Sequence, residues 1–202
     1  MSKMSPIQDL TKEHQALLAD MKDLQAAVRE LDAGAALSWA EQARTLRDQF
    51  EMFQRAMSLH IRREEEGLFP DVQSMVAEQG GRGDALSQFF AEEGEEDIRA
   101  HASLRTRTQE MLSLVDQMAG SAGPEQQQLG RLRTLVNLTT GLLERHAEKE
   151  NKLIFPMIAR SLNDDQMEQV GSRMALLGSA ADLVDSSEGD LGDLRDLNAG
   201  PD

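Results

Sequence analysis

Four histidines, all that the chain contains, recur with glutamate in a doubled pattern. His60-Ile-Arg-Arg-Glu64 is followed by Leu68-Phe69-Pro70, and His146-Ala-Glu-Lys-Glu150 by Ile154-Phe155-Pro156. The two copies stand 86 residues apart. His14 and His101 stand 87 apart, each with a leucine three positions on, Leu17 and Leu104. Each half thus reads as a lone histidine and then His-x-x-x-Glu about 45 residues later. Four imidazoles and two carboxylates in a duplicated arrangement have the composition of the ligand shell of a two-metal site.

The spacing gives a reason for that chemistry. Residues i and i+4 of a helix face the same way, with Cβ atoms about 5–6 Å apart. His60 and Glu64 can therefore reach one ion together, and so can His146 and Glu150. A carboxylate can bridge two ions, whereas an imidazole binds one, so two bridging glutamates and two histidines per ion would hold a pair roughly 3.5–4 Å apart. The remaining coordination positions fall to water, hydroxide or oxide, and there a small molecule can bind. Nitrogen and oxygen donors without thiolate suit Fe, Mn or Zn, and spacing does not choose among them. Di-iron centres recur where imidazole and carboxylate meet inside a helical bundle.

A plainer reading exists for each part. A lone histidine on an apolar face is commonly a satisfied core residue, and a single His-x-x-x-Glu is commonly a surface ion pair. All four histidines at one level, two with glutamate one turn on, would instead bury polar groups with no other evident partner. The copies of Leu-Phe-Pro and Ile-Phe-Pro read as core, with Pro70 and Pro156 as helix kinks or stops. The methionines read as core filler.

The elements that must position these residues are helices. Leu46, Phe50, Phe53, Met57, His60, Glu64 and Leu68 form a stripe at steps of three and four, with a His and a Glu on the core face. Similar stripes carry Leu10, His14, Leu17 and Met21; His101, Leu104, Met111 and Val115; and Leu132, Leu135, Thr139, Leu142, His146 and Glu150. Strand signals are nearly absent, with no Tyr in the chain. Breaks fall at Gly34, at Gly80-Gly81-Arg82-Gly83 and at Gly120 to Pro124. The expectation is an all-α, up-down-up-down four-helix bundle with helices over about 5–33, 38–78, 84–119 and 125–161. A short fifth helix, capped by Asn163 or Asp164, runs to about 177, giving a bundle domain over 1–177. Residues 178–202, rich in Asp, Gly, Ser and Leu, read as a disordered acidic tail.

The bundle can be checked for level. His14 lies about 19 residues before the first loop and His60 about 22 after it, or roughly 29 and 33 Å at helical rise. His101 and His146 stand in the same relation to the third loop, and His60 and His101 are each about 18 residues from the middle one. All four imidazoles fall near one layer.

Composition narrows the function further. The 202 residues allow one domain with a sizeable core. The absence of Cys removes disulfides, zinc–thiolate sites and iron–sulfur clusters. A net charge of −15 argues against nucleic acid as partner and is read as solubility. The N-terminus has no apolar leader and no run approaches membrane-spanning length, so no membrane is expected; secretion is neither required nor excluded by the lack of Cys, and the cytoplasm is the default. No Ser-His-Asp grouping, phosphate loop or dinucleotide fingerprint occurs.

His14, the block from His60 to Pro70, His101, and the block from His146 to Pro156 together resemble the hemerythrin-like (HHE cation-binding) domain, over roughly residues 5–175. The resemblance implies a four-helix bundle around a non-heme di-iron centre. In it Glu64 and Glu150 bridge two iron ions, and His14, His60, His101 and His146 are terminal ligands, with Mn or Zn as alternatives to iron. Oxygen-carrying members have five ligand histidines and end with His-x-x-x-x-Asp. Two of those histidines stand one turn apart on the third helix; here Asp97 and Arg105 lie one turn before and after His101 and the last block is His-x-x-x-Glu, which counts against reversible oxygen carriage. Asp97 is read as a solvated carboxylate near its helix start, with an extra ligand or proton relay as the alternative. Four His and two Glu are more similar to the bacterial iron-centre repair proteins, without their N-terminal Cys segment, and to mycobacterial hemerythrin-like proteins.

The expected function is binding or turnover of O2, peroxide or NO in oxidative or nitrosative stress or iron-centre repair. An iron- or oxygen-sensing module and a di-iron oxidase of a small organic substrate are the alternatives. Each ligand imidazole needs an acceptor for its other ring N–H. Glu13, Glu65 and Glu144 are candidates, although each is read as exposed.

Overall fold

The computed structural model describes residues 5–31, 38–78, 82–121, 123 and 125–178. All regular structure among them is helical. Helix α1 spans Pro6–Glu30, α2 Trp39–Arg62, α3 Phe69–Ala77, α4 Arg82–Ala119, α5 Gln126–Lys149, α6 Phe155–Ser161 and α7 Asp164–Leu176. A π-helical segment, Arg63–Leu68, joins α2 to α3 without a break, and a second, Glu150–Ile154, joins α5 to α6. Four long rods therefore carry the bundle, with α7 as the short fifth element. The segment 179–202, read from the sequence as an acidic tail, lies outside the described residues, as does the Gly34 break.

Local signals set the ends. Pro6 opens α1, where its missing N–H costs nothing. Ser38 and Glu41 exchange side-chain and backbone bonds in a capping box at α2, with Ser38 N–H to Glu41 Oε2 at 2.9 Å. Asn163, rather than Asp164, caps α7, its Oδ1 accepting from Gln166 N–H at 2.9 Å. Helix α4 begins at Arg82, earlier than the expected start at Asp84.

Of the two readings of the Phe-Pro steps, kink or stop, the structure takes the first. Neither Pro70 nor Pro156 stops its helix, which runs on to Ala77 and Ser161. Proline lacks an N–H and its ring collides with the carbonyl four residues back. The chain absorbs both faults by widening the preceding turn: Phe69 N–H bonds Glu64 O and Phe155 N–H bonds Glu150 O, each reaching five residues back. Pro70 leaves the Glu66 carbonyl without its intrahelical donor, and Arg173 of α7 donates to it from Nε at 2.9 Å. The same arginine pairs with the buried Asp71 at 2.7 Å.

Packing joins α1 with α2 and α5, and α4 with α2 and α5, so each rod has two neighbours in a closed ring. Across α2–α3 and α4, Trp39 meets Met118, Arg47 meets Asp116 and Gln73 meets Phe90. Two apolar clusters fill the interior. One, with Phe50, Phe53, Met57, Leu104 and Leu143, occupies the end where α2 begins. The other, with Leu10, Leu68, Phe90, Phe155 and Ile158, occupies the end closed by α7. The histidine layer lies between them, with His14 flanked along its own helix by Leu10 of the second cluster and Leu17 of the first.

Helix α7 sits close against the first π segment. A Cβ added at Gly67 would lie 2.8 Å from Met174 Cγ and 3.2 Å from Leu177 Cδ1. Gly67→Val is therefore expected to push α7 off the bundle at a cost of about 1–3 kcal/mol. A urea titration of the variant beside the parent protein measures that loss; an unchanged midpoint would refute the close seating of α7.

Candidate metal centre

His14 comes from the middle of α1, His60 from the last turn of α2, His101 from α4 and His146 from the last turn of α5. Glu64 and Glu150 come from the two π segments. The widened turn thus begins at or beside each glutamate, one turn beyond the histidine of the same motif. All six side chains are at most 1 % exposed.

The structure brings the six together at mid-height. Ring centroids of His14 and His60 lie 4.5 Å apart, and those of His101 and His146 4.7 Å. His14 Nε2 is 2.9 Å from Glu150 Oε2 and 3.8 Å from Glu64 Oε1. His60 Nε2 is 3.3 Å from Glu64 Oε1, and His101 Nε2 is 3.2 Å from Glu64 Oε2. His146 Nε2 is 3.3 Å from Glu150 Oε2 and 3.2 Å from His101 Nε2. Two overlapping donor sets result: His14, His60, His146 and Glu150, and Glu64, His101, His146 and Glu150. Within each set, one donor atom per residue lies within 4.8 Å of all the others. Phe155 stacks on His14 at 5.6 Å and covers the layer from the α7 end.

The outward ring nitrogens show why the Nε2 atoms face inward. His60 Nδ1 bonds Glu13 Oε2 at 3.0 Å, and Glu13 is paired with the buried Arg63. His101 Nδ1 bonds Glu65 Oε1 at 3.0 Å, and Arg105 grips Glu65 with two bonds at 2.7 and 3.1 Å. His14 Nδ1 bonds Asn151 Oδ1 at 3.2 Å. His146 Nδ1 faces Asp97 Oδ1 at 3.8 Å, with Lys149 Nζ the same distance from that oxygen. An acceptor at Nδ1 fixes the tautomer and leaves the Nε2 lone pair directed inward.

Several of these partners differ from the sequence expectation. Glu13 and Glu65 are partly buried, at 16 % and 22 % exposure, because each is drawn in by a histidine and an arginine. Glu144 is exposed and takes no part. Asp97 is not a solvated helix-start group. Helix α4 begins 15 residues before it, and the residue is 1 % exposed behind His146. Asn151 went unread, although the doubling held its signal: it follows Glu150 as Glu65 follows Glu64.

The electrostatics are those of a centre built for cations. Burial, reinforced by Glu150, pushes Glu64 up to about 8. Burial drives His60 well below its ordinary value, with His14 adding to the effect, and takes His146 down to about 4. Burial also opposes charge on His101, but the facing carboxylates of Glu64 and Glu65 outweigh it and raise that imidazole to about 10. Glu65, likewise opposed by burial, is held at about 2 by His101 and Arg105. Protons alone satisfy the cluster poorly. Nε2 of His14 and of His60 and both oxygens of Glu64 and Glu150 are buried without a hydrogen-bond partner. Such orphaned groups cost free energy that metal coordination would recover. The donor set fits hard or borderline cations such as Fe, Mn or Zn.

A pH dependence follows for protein stripped of metal. Glu64 and His101 both bind protons more tightly folded than unfolded, so their contribution to stability is present at low pH and falls as pH rises. Both contributions decline between pH 6.5 and 8. The thermal midpoint of chelator-treated protein is expected to fall across that interval, and Glu64→Gln should flatten the decline. Equal midpoints at the two pH values would contradict the assignment.

The family model of the hemerythrin HHE cation-binding domain matches residues 5–158, a span that includes all six inward donors and both Phe-Pro steps. No curated protein matches the chain. With most of the chain under that model and its histidines and glutamates gathered in one buried layer, the protein belongs to the hemerythrin HHE cation-binding domain family.

Proposed function

We propose that the six donors hold two iron ions and that the centre binds or reacts with O2, peroxide or NO, in oxidative or nitrosative defence or in repair of iron centres. His14 and His60 would serve one ion, His101 and His146 the other, and Glu64 and Glu150 both. The observation that carries this reading is the set of six buried donor atoms on His14, His60, Glu64 and Glu150 that have no hydrogen-bond partner. A buried polar layer of that kind is costly unless an ion completes it. Family membership supports a metal, and the choice of iron rests on the recurrence of di-iron centres among imidazole and carboxylate in bundles.

Bound iron would supply one-electron exchange and open coordination positions. The chain's own part is preparation. Glu13, Glu65 and Asn151 hold three imidazoles in the tautomer that presents Nε2 inward. The two apolar clusters exclude bulk water from both ends of the layer, which strengthens every charge interaction inside it. The π segments re-aim Glu64 and Glu150 after their histidines.

An up-down-up-down order underlies this reading. It is supported by pairs such as Arg131 with Glu110 and Lys149 with Glu93, or Gln25 with Asn137 and His14 with Asn151, in which one number falls as the other rises. A bundle domain over 1–177, with 178–202 as a separate segment, belongs to the same proposal. Among the described residues no helix is long and apolar enough to cross a membrane, and a cytoplasmic setting with small-molecule partners fits this chemistry.

Purified protein is expected to carry two irons per chain with visible charge-transfer absorption, and His60→Ala should lose most of both. Stopped-flow mixing of the reduced, iron-loaded protein with O2, peroxide and NO should show reaction with at least one. Silence with all three would refute the reactivity, and iron-free protein after reconstitution would refute the centre.

A further inference from the structure

The wall behind each imidazole decides whether an ion can pass it. Behind His60, Glu13 accepts from Nδ1 and is paired with the buried Arg63. Behind His101, Glu65 accepts from Nδ1 and is clasped twice by Arg105. Behind His14 stands Asn151, a neutral amide hydrogen-bonded to the ring. The wall behind His146 is different. Its Nδ1 has no hydrogen-bond partner, so this ring alone can turn without breaking a bond there. Asp97 lies beyond it, buried, with Oδ2 likewise unpartnered.

Asp97 is the inner end of a line of carboxylates at the seam of α4 and α5. Exposure falls along it from 63 % at Glu96 to 21 % at Glu93 and 2 % at Asp97, and His101 follows Asp97 one turn on along α4. The Lys149 ammonium stands among them, 2.6 Å from Glu93 Oε2, 3.0 Å from Glu96 Oε2 and 3.8 Å from Asp97 Oδ1. It makes no aligned hydrogen bond with any of them. A cation already occupies this place, held by charge and little else. Lysine carries it on a flexible stem, whereas an arginine would fork onto the carboxylates and stay. The repeat sharpens the contrast, because Arg63 precedes Glu64 as Lys149 precedes Glu150. We propose that this seam is the entry route for metal. Glu96, Glu93 and Asp97 receive a divalent cation and deliver it past the His146 ring to the centre, while the Lys149 ammonium swings aside. Stepwise exchange of water for carboxylate oxygen spares the ion the cost of entering an apolar interior bare. The line is a passage and not a resident site, since among the described residues the donor sets gathered within 4.8 Å all belong to the inner six. The inference rests on the metal-centre reading above, although not on iron or on any reaction.

Cobalt(II) tests this, because its visible absorption follows uptake without redox chemistry. Metal-stripped protein is mixed with Co(II) in a stopped-flow instrument, and final affinity is measured separately against a competing chelator. Glu93→Gln and Asp97→Asn should each slow association roughly three- to tenfold, with the affinity of the Glu93→Gln protein unchanged. Lys149→Arg should also slow it, closing the seam as Arg63 closes the wall behind His60. Glu30→Gln, the same loss of charge on an exposed residue at the far end of α1, should leave the rate in place. Association unmoved by both Glu93→Gln and Lys149→Arg, a loss confined to the dissociation rate, or equal slowing by Glu30→Gln would each overturn the route while sparing the centre. A parent protein that takes up no cobalt would overturn both.

Discussion

Two glutamates and four histidines share a volume from which water has been removed, and the rest of the structure serves that fact. Charges taken out of water must be paired or neutralised, and within this layer the six groups face chiefly one another. Left to protons, the cluster reaches an uneasy division: Glu64 resists ionisation, His101 holds its proton tightly, and His60 and His146 stay neutral. Cations resolve the conflict, since neutral imidazoles and ionised carboxylates are then all satisfied at once. Metal binding and folding are coupled for that reason, because a ligand that binds only the assembled layer must stabilise it.

The scaffold holds this layer by repeating one local device. In each half a histidine closes a long α-helix, a glutamate opens a widened turn, and a Phe-Pro step restarts the α-helix beyond it. Proline supplies the reason for the wide turn, since a regular helix cannot carry it at that position. The wide turn moves the glutamate and the residue after it relative to the rod, so that Glu64 faces the centre while Glu65 reaches across to His101. In the first copy the exposed carbonyl of Glu66 also becomes the docking point for Arg173. The π segment Arg63–Leu68 thus supplies Glu64 to the centre and seats α7 through Glu66 and Gly67.

The outer partners give the halves their individuality. Three histidines face carboxylates, two of those clasped by arginine and one beside a lysine, and the fourth faces an amide. Inward ligands can be identical in kind while their donor strengths differ, because each imidazole is polarised by what lies behind it. A symmetric motif therefore need not give donors of equal strength.

Much of this was legible in the chain. Periodicity of three and four, Pro6, Asn163 and the glycine breaks set the helical class and its boundaries to within a few residues, because those signals are local. The common level of the four imidazoles followed from helix lengths alone, because rise per residue is fixed. The family resemblance rested on the same motifs and agrees with the family match. What lay beyond the sequence was decided between helices. Local pattern made Asp97 a solvated carboxylate and Glu13 and Glu65 exposed ones, yet burial depends on which neighbour lies across the interface. Only when α1, α2, α4 and α5 are packed do Arg63, Arg105 and the histidines draw those groups inward. Whether each proline would kink or stop its helix was decided for a related reason. A proline stops an isolated helix, but here packing on both sides holds the rod together and the backbone yields by one residue instead.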